Sequence, residues 1–174
     1  MDAALKVISE KGYHGTSISV IAKESGVSKG LIYNYFDSKE ELLTEIMYDG
    51  YRKIFDKFII DENLTPKENL LKLVETTFNV MDELEEVFKV YFSVLMKKDV
   101  FEILKDKMNE LSEPIMEDFA KLMAQLGFEN PMDEAFFFRF ILDGISLNYL
   151  FLPDEFPKEY CIKRFKQIYF KNEK

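Results

Sequence analysis

The chain has 174 residues, 47% of them hydrophobic and 32% charged, the balance of an ordinary globular protein able to bury a sizeable core. Its formal net charge of −9 excludes a broadly basic nucleic-acid binder, because phosphates must be neutralised, so any such contact has to be local. A single cysteine, Cys161, excludes an intrachain disulfide and suits a reducing cytosol. The N-terminus carries no long apolar run, and the ten uncharged residues 144–153 are too few to span a bilayer, so a soluble, cytoplasmic protein is expected.

The predicted elements are all helical, because β-like alternation is never sustained and Gly and Pro fall between helical periods. A first helix covers about Asp2–Lys11, with Ala4, Leu5 and Ile8 on one face, and residues 12–15 end it. A second runs about Ile18–Ser25, started by Thr16 or Ser17 as a cap and broken by Gly26. A third runs about Ser28–Phe36. After an Asp37-Ser38 turn, Ser38 and Glu41 form a capping box for a longer helix that reaches about Ile59. Residues 61–66 are a linker, and Thr65, Pro66 and Glu68 restart the helix. Leu70, Leu71, Val74, Phe78 and Met81 follow at helical spacing, and Leu84, Phe88, Tyr91 and Leu95 make another stripe. A long pattern from Phe101 to Leu126 contains Pro114, which should kink or split it. After a loop at 127–131, a very apolar helix spans about Met132–Leu152, and a last one covers Lys158–Phe170.

The informative segment is Thr16–Leu42, TSISVIAKESGVSKGLIYNYFDSKEEL. It reads as two short helices joined by Ser25-Gly26-Val27, where Gly26 takes the left-handed backbone of a sharp turn. Ile18, Ile21 and Ala22 face inward, Val27 and Ile32 close the small core, and Ser28, Lys29, Gly30, Leu31, Tyr33 and Asn34 are left at the front of the second helix. That is the arrangement of a recognition helix, whose N-terminal residues meet base edges. Lys29 suits a phosphate or a guanine edge, Tyr33 a phosphate, and Asn34 can donate and accept. Gly30 removes bulk where the helix presses on a groove, and Lys39 at the next helix start suits a phosphate. The plain alternative is a helical subdomain whose Lys and Tyr residues are ordinary surface. The local charge is near neutral: residues 1–47 hold five Lys and seven acids.

The run GVSKGLIYNYFDSKEEL resembles the signature of the TetR family of repressors, and residues 2–12 resemble that family's first helix. The resemblance implies an all-α fold: a three-helix helix-turn-helix head over residues 1–47, then an antiparallel helical ligand-binding and dimerisation domain over 48–174. It implies contact with double-stranded operator DNA through Thr16, Ser28, Lys29, Gly30, Leu31, Tyr33, Asn34, Tyr35 and Lys39. Met1 falls inside the first helix, whereas the family's members begin several residues earlier. An upstream arm that adds basic contacts is therefore expected to be missing here.

Other chemistries find little support. His14 and Cys161, the only His and Cys, stand far apart in sequence, so neither a metal site nor a Ser-His-Asp centre is expected. No glycine-rich phosphate loop exists, and no cofactor or enzymatic activity is expected, although carboxylate-only chemistry stays open. Cys161 reads as a small apolar residue, with a reactive thiol as the alternative. The acidic run 82–86 reads as a solvated helix face, with a cation-attracting pocket mouth as the minority reading. A homodimer through the last two helices is expected, because 132–152 is apolar nearly all round and has to be buried on more than one face. The inward positions Phe78, Met81, Phe88, Phe92, Met96, Met116, Met123 and Phe137 are expected to line a pocket for a hydrophobic or amphipathic effector, although the same residues suit a solid core. The leading function is a ligand-responsive repressor released from its operator by that effector. The alternative is a helical ligand- or partner-binding protein that has lost DNA binding.

Overall fold

The computed structural model describes residues 2–170, and these are all-α, with no strand. The helices are α1 (Asp2–Lys11), α2 (Ile18–Ser25), α3 (Lys29–Tyr33), α4 (Lys39–Phe55), α5 (Pro66–Glu83), α6 (Glu85–Leu95), α7 (Lys98–Gln125), α8 (Pro131–Phe151) and α9 (Lys158–Tyr169). Local chemistry sets several boundaries. Ser17 caps α2 by accepting the Val20 N–H, and Gly26, at φ 67°, ends it in the left-handed conformation. At the start of α5, Thr65 and Glu68 form the expected reciprocal box: the Glu68 N–H donates to Thr65 Oγ1, and the Thr65 N–H donates to Glu68 Oε2 at 2.8 Å.

Three expectations need correction. The third helix is shorter than expected, ending at Tyr33, because Asn34 and Tyr35 close it with turn bonds to Leu31 and Ile32. Helix α4 stops at Phe55, where a turn bond from the Phe58 N–H to the Phe55 carbonyl takes over, and Ile59 is left exposed. Helix α7 runs unbroken through Pro114. A proline removes one backbone bond, and the bonds of the flanking turns keep this helix of 28 residues from splitting there.

The chain forms two compact units, each assembled from two stretches of sequence. The first comprises Met1–Ile54 and Leu84–Ser112. In it α1 packs on α2 and on α6, burying Ala4, Val7 and Ile8 against a helix whose own buried side chains include Val87, Val90, Tyr91 and Val94. Tyr51 of α4 meets Tyr91 edge-on at 5.3 Å between ring centroids.

The second unit comprises Phe55–Glu83 and Glu113–Lys174. Its core joins Leu70, Leu73, Val74 and Phe78 of α5, Phe119, Leu122 and Met123 of α7, Phe138 and Leu142 of α8, and Phe165 and Tyr169 of α9. Phe138 is the hub, with Phe119 and Phe165 rings each 5.4 Å away. Buried Asn69 holds the 61–65 linker, accepting the Asp61 N–H and donating to the Asp61 and Leu64 carbonyls. A buried amide with its groups paired fixes a loop without the penalty of unmet hydrogen bonds.

Candidate nucleic-acid interface

The turn between α2 and α3 is built from the chain's own caps. The Val27 N–H returns to the Ala22 carbonyl at 3.0 Å, and the Ser28 hydroxyl accepts the Leu31 N–H at 3.1 Å. Ile18, Ile21, Ala22 and Ile32 are buried as expected. Val27 is not, since it lies on the outer rim of the turn. These constraints leave α3 anchored by a single side chain, Ile32, with the rest of its surface free.

Ser28, Lys29, Gly30, Leu31, Tyr33, Asn34 and Tyr35 are all exposed, Tyr35 at 73%. The Lys29 ammonium sits 5.6 Å from the centroid of the Tyr33 ring, one helical turn on. No Cβ at Gly30 would meet anything nearer than Ser28 Oγ at 3.9 Å, so its bare face is open to a ligand. This convex face of cation, hydroxyls and amide has the composition that reads a groove, and nothing in the fold explains why Leu31 and two tyrosines stay in water.

The two remaining sequence-derived contact residues are placed differently. Thr16 is only 3% exposed, and its hydroxyl donates to the Gly12 carbonyl at 2.8 Å. Lys39 turns inward: its Nζ donates to the carbonyls of Tyr13 and Thr16, each at 3.0 Å, and lies 3.9 Å from the centroid of the Tyr13 ring. Tyr13 is itself buried and donates its hydroxyl to Glu40 Oε1 at 2.8 Å. Burial, then the Glu40 bond, pushes the Tyr13 phenol far above its ordinary value. The same bond, as the leading cause, holds the Glu40 carboxyl below its own. Sequence spacing gave no sign of this cluster, because its carbonyl partners lie 23 and 26 positions from Lys39.

The sequence-derived effector residues divide between the units. In the second unit Phe78, Met116 and Met123 belong to the packed core, and Met81 is buried. In the first, Phe88 and Phe92 are buried. Met96 and Phe137, by contrast, are exposed at 72% and 52%, so neither lines a closed cavity. Met96 follows the last residue of α6, and Phe137 falls on the outer face of α8, where the helix is apolar on both sides and spacing alone does not set the phase. That outer face carries Phe136, Phe140 and Phe151 as well, beside an apolar groove of about 430 Å³ between α8 and α9 lined by Gly144, Ile145 and Cys161. Burial raises the Cys161 thiol pKa. Among the described residues no cluster of His, Cys, Asp and Glu suits a metal ion, and no helix is long and apolar enough to cross a membrane.

A capped, glycine-turned helix pair with a free polar face defines a helix-turn-helix head, the device of transcriptional regulators. Residues 1–46 match the family described as bacterial regulatory proteins, tetR family, so the head is of that family's type. The chain is 36% identical over 83 residues to the fatty acid metabolism regulator protein of Bacillus subtilis, covering 47% of this chain and 43% of the relative. It is 28% identical over 165 residues to the HTH-type transcriptional regulator YdgC of the same organism, covering 84% of each. Among solved structures, a transcriptional regulator from Rhodococcus sp. RHA1 superposes with a TM-score of 0.84 at 18% identity, over 98% of this chain and 91% of that one. The regulator FadR from Bacillus subtilis, in complex with stearoyl-CoA, superposes with a TM-score of 0.77 at 19% identity, over 99% and 97%.

Proposed function

We propose that this protein is a ligand-responsive, DNA-binding repressor of transcription that works as a homodimer. The exposed α3 face of Lys29, Gly30, Tyr33 and Asn34 carries the reading, because a solvated helix has no other reason to present that set on a single buried anchor. The functional division lies at 1–47 for DNA and 48–174 for effector binding and pairing. The copies join through α8 and α9, whose outer faces leave Phe136, Phe137, Phe140, Phe151, Tyr160 and Ile168 exposed. A stripe of that size on one chain needs a cover, and an isologous contact supplies it from the same surface.

The effector is a hydrophobic or amphipathic small molecule. The Met- and Phe-rich interior positions support this class, and so does the long-chain acyl-CoA held by the structural neighbour FadR. Binding it favours a shape of the dimer in which the two α3 helices no longer fit successive grooves. Such a protein works in the cytoplasm.

The experiment is a selection of random duplex DNA by the purified protein, followed by binding measurements at several salt concentrations. A pseudo-palindromic site should emerge, with log affinity falling linearly with log salt. Stearoyl-CoA, and shorter acyl-CoA probes beside it, should release that site. Failure to enrich any sequence over random duplex overturns the DNA reading. Enrichment without release by any acyl-CoA overturns an acyl-CoA effector alone.

A further inference from the structure

Lys39 stands where the sequence resemblance places a phosphate contact, at the first residue of the helix after the DNA-reading pair. Most of its hydrogen-bonding capacity is already taken up inside the head. An ammonium has three N–H donors and no acceptor. Two of them go to the carbonyls of Tyr13 and Thr16 at 3.0 Å each. The face of the Tyr13 ring lies against the same nitrogen, 3.9 Å from the centroid, which is cation–π range. The surroundings are fixed in turn. Tyr13 and Thr16 are buried, the Tyr13 hydroxyl is tied to Glu40, the neighbour of Lys39, and the Thr16 N–H returns to the Tyr13 carbonyl at 3.2 Å. The Thr16 hydroxyl closes on the Gly12 carbonyl.

Thr16 is followed at once by Ser17, the cap of α2, and α2 leads through Gly26 into α3. Helix α3 has five residues and one buried side chain, so it has little packing of its own to set its direction. The start of α4 and the start of α2 are therefore pinned together by one charged nitrogen, and α3 is the short segment strung between them.

We propose that Lys39 is a positioning residue for DNA recognition rather than a phosphate ligand: its ammonium clamps the α1–α2 turn to the start of α4 and so sets the pose of α3. The inference rests on the DNA-binding reading above, and it departs from the contact that the resemblance assigns to this lysine. Charge-assisted bonds to carbonyls in a half-buried site are among the stronger single contacts available, and exchanging them for one phosphate bond in water gains little.

Salt dependence separates the two roles. Each neutralised phosphate contributes about 0.9 to the slope of log affinity against log salt. Operator binding is measured across salt for the full chain, for Lys39→Met, which keeps the aliphatic stem on Tyr13, and for Lys29→Met as the contrast. Lys39→Met should lower affinity about tenfold at every salt concentration, the size of one lost charge-assisted bond, with the slope unchanged. Lys29→Met should lower the slope by about one unit. Lys39→Arg, whose guanidinium can still serve both carbonyls, should recover most of the affinity. A slope lowered by about one unit in Lys39→Met overturns the proposal, as does undiminished affinity.

A second readout needs no DNA. Amide hydrogen exchange over residues 13–22 should quicken in Lys39→Met, while α8 keeps its protection. Unchanged exchange there overturns the clamp. If the unaltered chain binds no DNA but the exchange result holds, the clamp stands and the DNA-binding reading falls. Should Lys39→Met not fold, Lys39→Gln, which loses the charge and the reach to both carbonyls, takes its place in both measurements.

Discussion

Gly50 of α4 lies so close to Val87 of α6 that a Cβ added at Gly50 would stand 2.7 Å from Val87 Cγ1. Both residues are buried inside the first unit, and the branched valine has little rotamer freedom with which to retreat. In an ordinary helix interior, Gly to Ala stabilises by roughly 1 kcal/mol. Here Gly50→Ala should destabilise, because overpacking a tight core costs about 1–3 kcal/mol and outweighs the propensity gain. Urea unfolding checks this: a raised midpoint would show that the two helices part freely.

Gly26 tests a different term. Its φ is 67°, and nothing lies within 4 Å of where a Cβ would stand, so a side chain there meets backbone strain and no clash. Gly26→Ala should cost about 1–2 kcal/mol, and Gly26→Asn distinctly less, since Asn visits the left-handed region more readily. Equal losses for the two would assign the cost to something other than φ.

On α3 the expected effects fall on binding alone. Lys29→Ala and Tyr33→Ala remove exposed side chains and should leave the thermal midpoint nearly unchanged while weakening operator binding. Gly30→Ala should stabilise the helix slightly and still weaken binding, because its methyl adds bulk to the open face proposed to meet DNA. Anisotropy with the selected site, read beside melting curves, checks all three. Parent-like binding by all of them removes α3 from the interface.

The Tyr13–Glu40 bond makes a pH prediction. Glu40 is exposed, and its carboxyl is held below the ordinary value of 4.5, first by the Tyr13 hydroxyl. A carboxyl with a folded pKa below its unfolded one stabilises the fold above the unfolded value. That contribution is lost as pH falls through the folded pKa. Glu40→Gln should therefore be less stable than the parent at pH 7, and the two should converge as pH falls below 4.5. Urea midpoints above and below that value check this, and a constant difference would mean that the charge is not involved.

The head was legible in the sequence because its determinants are local. Ser17 and Gly26 act within five residues of themselves, so the α2 cap, as Thr16 or Ser17, and the turn were legible from spacing, while the capping of α3 by Ser28 was not. The all-helical fold was legible for the same reason. What escaped was phase and partnership. Helical spacing put Phe137 and Met123 in one set, yet one is exposed and the other fully buried, because α8 is apolar on both faces. The clamp escaped because two of its acceptors are main-chain carbonyls, which every residue possesses and no sequence pattern marks. Thr16, which the resemblance makes a DNA contact, is buried, and its hydroxyl closes the turn. Nothing in the sequence indicated that α6 and the front of α7 fold with the head in one compact unit, since a stripe does not name the stripe it packs on.

Phe140 is 63% exposed on α8, its ring is 6.4 Å from that of Phe136, and Gly144 lies one turn further along with open space at its Cβ position. Phe138, two residues away, points the other way into the core and is fully buried. A substitution at 140 therefore acts on the outer face without touching the fold's centre. In an isologous pair Phe140→Glu places one carboxylate on each copy against the same apolar contact. Burying such a charge unpaired costs several kcal/mol, and the two copies double it. Sedimentation at micromolar concentration should show the parent as a dimer and Phe140→Glu as a monomer with an unchanged helical spectrum. Operator affinity should fall steeply with it, because two tethered recognition helices bind far better than one. Ile59→Glu, at an exposed apolar position in the linker before α5, is the control and should remain dimeric. A Phe140→Glu variant that sediments like the parent would move the interface off this face of α8.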